Sequence, residues 1–254
     1  VTSKTVDAFH RGRFHLVQPA GRGHRAGLDA MLLAAAVPDG FAGRVADLGA
    51  GAGAAGLAVL ARCPDAAAML VEREGDMAAF ARATLELSEN AACESRAIVI
   101  EADVSLRGKA RIAAGLGDNC CDFAIMNPPY NDAADRASPD ALRQAAHVMT
   151  DGLFEEWVRT AAAIVRPRGG LAIIARPASL AAMLAAIDGR FGSAELMAIR
   201  PRPGKAAIRI VMRAWRGQRG TLSMLPALTL HGETGNGFTP EADTAINGER
   251  ALFA

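Results

Sequence analysis

Val45-Ala-Asp47-Leu-Gly49-Ala-Gly51-Ala-Gly53-Ala-Ala-Gly56 runs from a short apolar segment into four closely spaced glycines. Val45–Leu48 reads as a strand, the glycines as a tight loop, and the residues from about Ala54 to Arg62 as a helix. Glycine permits a sharp turn and lets a ligand approach the backbone, and the helix start behind it presents free N–H groups. A strand that feeds such a loop and helix opens a βαβ unit, and the same alternation continues downstream. Ala67–Val71 is the next strand, Met77–Ala91 an amphipathic helix, and Ala97–Ile100 a third strand. Then come a strand ending at Asn127, a helix around Leu153–Val165, and Leu171–Ala175 after a Gly169-Gly170 turn.

Strands that alternate with helices imply a parallel sheet with right-handed crossovers. Two late β-rich stretches, Glu195–Ile199 and Ala207–Ala214, can pair as an antiparallel hairpin around Arg200–Lys205. The expected fold is therefore α/β, a doubly wound, seven-stranded, mainly parallel sheet closed by a C-terminal antiparallel hairpin. Upstream, Asp29–Val37 reads as a helix that Pro38-Asp-Gly40 ends. The chain divides into an N-terminal extension with that helix (1–40), a main domain (41–220) and a tail (221–254). Within the tail, Leu228–His231 is a candidate peripheral strand, and the rest has no chemistry to anchor it. Asp132–Thr150, polar and rich in alanine, reads either as a substrate loop or as a segment without function.

With 254 residues the chain can bury a full core, and 51% of them are apolar against only 5% aromatic. No apolar stretch reaches the roughly 18–20 residues that span a bilayer, and the N-terminal Val1–Asp7 lacks a signal-peptide core. A soluble, cytoplasmic protein is expected. The four cysteines show no Cys-x-x-Cys spacing and the five histidines are scattered, so no metal site is expected. Net charge is +1, but cations cluster: Arg200, Arg202, Lys205, Arg209, Arg213, Arg216 and Arg219 follow one another without an acidic residue between them. Such clustering is either the electrostatic footprint of a nucleic acid or a solvated arginine-rich surface.

Asp122-Phe-Ala-Ile-Met-Asn127-Pro128-Pro129-Tyr130 carries the chemistry. Proline has no N–H and disfavours helix in the residue before it, so the strand stops here and leaves a stiff, extended rim. In open α/β sheets the carboxyl end of a strand is where ligands sit. An amide side chain, unpaired carbonyls and the chain's single tyrosine equip this rim to hold a planar, amino-bearing group. On the cofactor side, Gly51-x-Gly53-x-x-Gly56 also satisfies the dinucleotide fingerprint, so the glycines alone leave nicotinamide cofactors open. Glu72, closing the second strand, suits two ribose hydroxyls in either cofactor class.

Asn127–Tyr130 resembles the Asn-Pro-Pro-Tyr motif of amino-group methyltransferases, and Asp47–Gly53 is similar to the Asp-x-Gly-x-Gly loop of class I S-adenosylmethionine-dependent methyltransferases. At whole-chain scale, over roughly residues 10–215, the sequence resembles bacterial tRNA adenine-N6 methyltransferases of the small-domain superfamily. That resemblance implies S-adenosylmethionine as cofactor, held by Asp47, Gly49, Gly51 and Gly53, by Glu72 at the ribose and by Asp103 at the adenine amine. It also implies that the 1–40 extension packs over the cofactor, with Asp29 near its methionyl amine and Arg25 at the pocket mouth. Asp29 equally suits a plain first-turn helix position. By the same resemblance the expected substrate is RNA of the tRNA class, with Arg25 at the pocket mouth, and the basic cluster adds Arg202 and Lys205 as expected contacts.

For such a reaction, the Asn127 Oδ1 and the Pro128 carbonyl would each accept one N–H of the exocyclic amine. Its lone pair would then localise, and catalysis would rest on orientation and pre-placed dipoles. Tyr130 would stack on the base, worth about 1–3 kcal/mol. Other readings stay open: a protein glutamine N5 methyltransferase, which carries the same tetrapeptide, a small-molecule O-methyltransferase, a nicotinamide-nucleotide oxidoreductase, or a non-catalytic RNA-binding protein. Glutamine methyltransferases usually bring a helical substrate domain, and the stretch ahead of Asp47 is short for one.

Overall fold

The computed structural model describes residues 4–20, 26–129 and 141–253, with backbone alone for 141–151. Arg25, Tyr130 and the 132–140 part of the expected substrate loop lie outside the described residues. Ten strands and eight helices are seen among those described. β1 (Lys4–Phe9) and β2 (Phe14–Pro19) form a separate antiparallel hairpin, followed by α1 (Leu28–Ala34). Next come β3 (Gly43–Leu48), α2 (Ala54–Arg62), β4 (Ala66–Glu72), α3 (Gly75–Leu85), α4 (Ala91–Glu94), β5 (Ala97–Glu101) and α5 (Gly108–Ala113). The second half comprises β6 (Cys121–Met126), α6 (Ala141–Ile164), β7 (Val165–Ala175), α7 (Leu180–Ile187), β8 (Phe191–Arg200), β9 (Arg209–Arg216), β10 (Ser223–Thr229) and α8 (Pro240–Ile246).

The main sheet has the order β10-β8-β9-β7-β6-β3-β4-β5. Pairing is parallel from β7 through β5, and β9 runs antiparallel to both β7 and β8. After β3 the chain winds outward through β4 and β5, then returns to the other side of β3 with β6. The switch point thus lies between β3 and β6, where a crevice opens at the carboxyl ends of the strands. One apolar layer packs α1, α2 and β2 against the sheet around Leu32, Leu57 and Phe123, and the other packs α6 and α7 around Leu48, Phe154 and Ile173.

The sheet has eight strands rather than the seven expected. β10 adds itself parallel to β8 despite Pro226, because the register shifts between Leu225 and Leu228 and removes the proline from the ladder. The helix expected over Met77–Ala91 ends at Leu85, and Ser88–Asn90 forms a separate turn ahead of α4. α6 starts at Ala141, so the 141–150 half of the expected loop is helix, as its run of alanine, leucine, arginine and glutamine favours. Gly169 and Gly170 lie inside β7 and not in a turn. A Cβ on Gly170 would sit 2.1 Å from the Phe123 ring, so the glycine serves close approach between neighbouring strands.

Candidate active site at the carboxyl edge of the sheet

Strand register brings the candidate residues to one level. Leu48 of β3 pairs with Val71 of β4 and with Met126 of β6. Gly49, Glu72 and Asn127 therefore stand side by side at the strand ends, Glu72 closing β4 and the other two one residue past β3 and β6, with Asn127 and Glu72 about 10 Å apart across β3. Glu72 pairs with Glu101, so Asp103 follows two residues beyond the end of β5. The sequence separation of 80 residues between Asn127 and Asp47 is thus erased by parallel pairing.

The glycine loop is a left-handed stair: Gly49, Gly51 and Gly53 have φ of 75°, 56° and 92°. Its start is tied to β4, since the N–H groups of Gly49 and Ala50 both donate to the Val71 carbonyl at 2.9 Å. Glu72 fastens the middle, accepting the Gly51 N–H on Oε2 and the Glu74 N–H on Oε1, each at 2.9 Å. Both carboxylate oxygens are oriented by one backbone bond and keep a second lone pair. A Cβ on Gly49 would lie 2.5 Å from Cη2 of Trp157, so α6 closes on the loop from the other side. α6 also grips the turn after β5, where Thr160 Oγ1 donates to the Val104 carbonyl at 2.6 Å. Trp157 and Thr160 were not legible in sequence, because an apolar helix face reads as core and carries no motif.

Asp47 is 3% exposed, and its Oδ2 accepts the Gly56 N–H at 2.8 Å. Burial pushes its carboxyl up to about 7 against the pull of that N–H, and the neighbouring Glu72 charge acts in the same direction as burial. Asp103 turns its own loop, taking the Ser105 N–H on Oδ1 at 2.7 Å, and lies 4.0 Å from Arg73 Nη1. At the acceptor end Asn127 is half-buried, Pro128 buried and Pro129 exposed, so the rim rises from the core into solvent.

The outlying candidates sit differently. Asp29, in the first turn of α1, pairs with Arg209 Nε at 2.8 Å, which ties α1 to the carboxyl edge at the start of β9. Arg202 donates to the carbonyls of Gly232 and Gly235 at 2.7 and 2.6 Å and to Asn236 at 3.3 Å, so its guanidinium builds the tail loop. Lys205 is exposed on the β8–β9 turn, on the same edge as Asn127, with β9 and β7 standing between β8 and β6. Among the described residues no group of three or more His, Cys, Asp or Glu side chains gathers as a metal site, and no helix is long and apolar enough to cross a membrane.

Fold and site together define a doubly wound α/β sheet whose glycine loop, oriented carboxylates and Asn-Pro-Pro rim gather at one carboxyl-edge crevice. The sequence matches the methyltransferase small-domain family over residues 25–202, and the chain belongs to that family. It is a methyltransferase that uses S-adenosylmethionine. The residues suit that cofactor: oriented carboxylates for ribose hydroxyls, and a glycine loop on which a Cβ at Gly51 would meet only Met77 Cε, at 3.7 Å. A predicted O-methyltransferase from Agrobacterium tumefaciens is 46% identical, covering 88% of this chain and 98% of its own, with a TM-score of 0.77. The 16S rRNA N2 methyltransferase RsmC of Thermus thermophilus, solved with AdoMet and guanosine, shares the fold at 20% identity, a TM-score of 0.54 and coverage of 84% and 50%. No curated protein matches the chain at a significant level.

Proposed function

We propose that the methyl group goes to an exocyclic amino nitrogen, and that the acceptor is adenine N6 in tRNA. The observation that carries this reading is Asn127-Pro128 at the end of β6, one residue past the Leu48–Met126 pair and level with the cofactor loop. When bound, the cofactor supplies an electrophilic methyl on a sulfonium. The protein's part is orientation: the Asn127 amide oxygen and the Pro128 carbonyl accept the two N–H bonds of the amine and aim its lone pair. This arrangement needs no strong general base, because the dipoles are already in place. Glu72 would hold the ribose, Asp103 the adenine amine of the cofactor, and Asp47 with Gly49, Gly51 and Gly53 its methionyl end.

The relationship to a predicted O-methyltransferase favours a second reading, methylation of a hydroxyl on a small molecule. An assay with labelled S-adenosylmethionine separates the two when run against total RNA, cell protein and metabolites. Label in RNA that digests to N6-methyladenosine is the expected result. Label confined to metabolite hydroxyls, or to glutamine in protein, overturns the adenine assignment.

A further inference from the structure

At the opposite, amino-terminal edge of the sheet, Cys120 precedes β6 and Cys121 opens it, and the site uses neither. Their sulfurs lie 3.6 Å apart and share a hydrogen bond. Cys121 is buried, and its single S–H has two acceptors within reach, Cys120 Sγ and Met69 Sδ at 3.4 Å, whereas Cys120 is half-exposed. Arg44 reaches the Cys120 carbonyl with Nη1 at 3.4 Å, and the buried Arg111 lies nearby, bonded to Asp118 and the Leu116 carbonyl. We propose that Cys120 and Cys121 form a peroxide-sensitive dithiol, with Cys120 as the attacking thiolate and Cys121 as the resolving thiol.

The surroundings favour a thiolate at Cys120. The hydrogen bond shared with Cys121 brings the Cys120 thiol down to about 7, and the charges of Arg44 and Arg111 act in the same sense. Cys121, by contrast, is held protonated by that bond and by burial. A low-pKa, accessible thiol beside a second cysteine is the arrangement of redox-responsive sites. Cys63 and Cys93 are buried singly, and burial pushes both thiols up, so the molecule contains its own controls.

In the first step the Cys120 thiolate attacks one oxygen of hydrogen peroxide. The O–O bond breaks, the departing hydroxide takes a proton to become water, and Cys120 becomes a sulfenic acid. The Cys121 sulfur then attacks the Cys120 sulfur, the S–O bond breaks, and the hydroxyl leaves as water with the Cys121 proton. Two thiols have lost two electrons to one peroxide. The sulfurs must close by about 1.5 Å to bond. The backbone there is not held in a regular ladder: Asn119 has a φ of 53°, and the β6–β7 register shifts between Cys121 and Phe123. Neighbouring Cα atoms, about 3.8 Å apart, lie closer than in most disulfides, so the product should be readily reduced.

Peptide mapping of the intact protein after one equivalent of hydrogen peroxide tests this. The expected product is lighter by two hydrogens, has lost two thiols, carries the change on the Cys120–Cys121 peptide, and reverts with dithiothreitol. In Cys121→Ser, Cys120 should instead be trapped by dimedone as a sulfenic acid. Oxidation of Cys63 or Cys93 at the same rate, or both thiols at 120 and 121 surviving in the wild-type protein, overturns the proposal. The wild-type mapping does not depend on the variant folding.

Discussion

Asn127 and Asp47 occupy the two sides of the crevice, and their chemistry differs because their surroundings do. Asn127 is half-buried on a rim where a side chain can be replaced without opening the core. Asn127→Ala should lower turnover at least about tenfold, toward the roughly 10²–10³ that losing one pre-placed hydrogen-bonding group can cost, while the Kd for S-adenosylmethionine changes little. Single-turnover kinetics beside calorimetric binding read the two effects separately, and unchanged turnover would remove Asn127 from the reaction. Asp47 is enclosed, and its proton is linked to folding. Its native pKa of about 7 stands above the ordinary 3.8, so the native state holds a proton that the unfolded chain has released between those pH values. Its contribution is present in acid and is lost as pH rises through about 7, with a slope approaching about 1.4 kcal/mol per pH unit for one proton. His10 has the opposite sign. Its ring is 4% exposed, neither nitrogen has a hydrogen-bond partner among the described residues, and burial, aided by Arg13 and Arg62, lowers its pKa from 6.5 to about 4. The unfolded chain therefore binds that proton first, and stability is lost as pH falls from 6.5 toward 4. The two linkages oppose each other in the wild-type protein. Urea unfolding of Asp47→Asn should show a steeper loss of stability below pH 6.5 than the wild type, and His10→Phe a shallower one. Parallel pH profiles for all three would disprove the assignment.

At the scale of elements, periodicity revealed what lies close in sequence and missed what the chain does on returning. β3, α2, β4 and β5 were legible because strand, glycine loop and helix follow one another, and the register that aligns Asn127 with Glu72 follows from parallel pairing. The N-terminal hairpin was not legible. β1 alternates between exposed and half-buried residues and offers no apolar run, and its turn uses His10 and Arg11 at φ of 47° and 55°, residues that do not announce a left-handed turn. Only the end of β10 was legible, in the peripheral strand expected over Leu228–His231, because Pro226 masked the part before it, and α7 was hidden by an alanine-rich stretch too short to show a helical period. The β8–β9 hairpin was anticipated, yet the reason its arginines are there was not. Arg213 is buried, paired through Nη2 to Glu195 on β8 at 2.7 Å and lying over the Trp215 and Phe253 rings at 5.5 and 4.7 Å. It joins two strands to the C-terminal segment, a role that reads in sequence as one more cation. Removing its partner leaves a buried charge uncompensated, so Glu195→Ala should cost about 3 kcal/mol, seen as a lower denaturant midpoint. Wild-type stability in that variant would show that Arg213 is held by its aromatic neighbours alone.

Over the whole molecule, the arginines that read in sequence as one basic stripe are largely spent on the protein itself. Arg209 holds Asp29, Arg213 holds Glu195, Arg216 bonds the Val165 carbonyl, and Arg202 bonds the 232–236 loop. Of the seven, Arg200, Lys205 and Arg219 are exposed. Arg200 ends β8 and Lys205 sits on the turn that follows, both at the carboxyl edge that carries Asn127, whereas Arg219 follows β9 at the opposite edge. A phosphate backbone passing over the acceptor crevice would therefore meet Arg200 and Lys205, and the two residues proposed from sequence, Arg202 and Lys205, should separate by experiment. Lys205→Ala should weaken RNA binding and reduce the slope of log K against log salt by about 1, with the melting temperature unchanged. Arg202→Ala should lower the melting temperature, because three hydrogen bonds to the tail loop are lost, and any loss of RNA affinity should leave the salt slope unaltered. Filter binding across a salt series, with thermal unfolding of the same preparations, measures both. Equal salt slopes in Lys205→Ala and wild type would move the phosphate contact elsewhere, and an acceptor whose KM ignores salt altogether would point away from RNA and toward the hydroxyl-bearing small molecule.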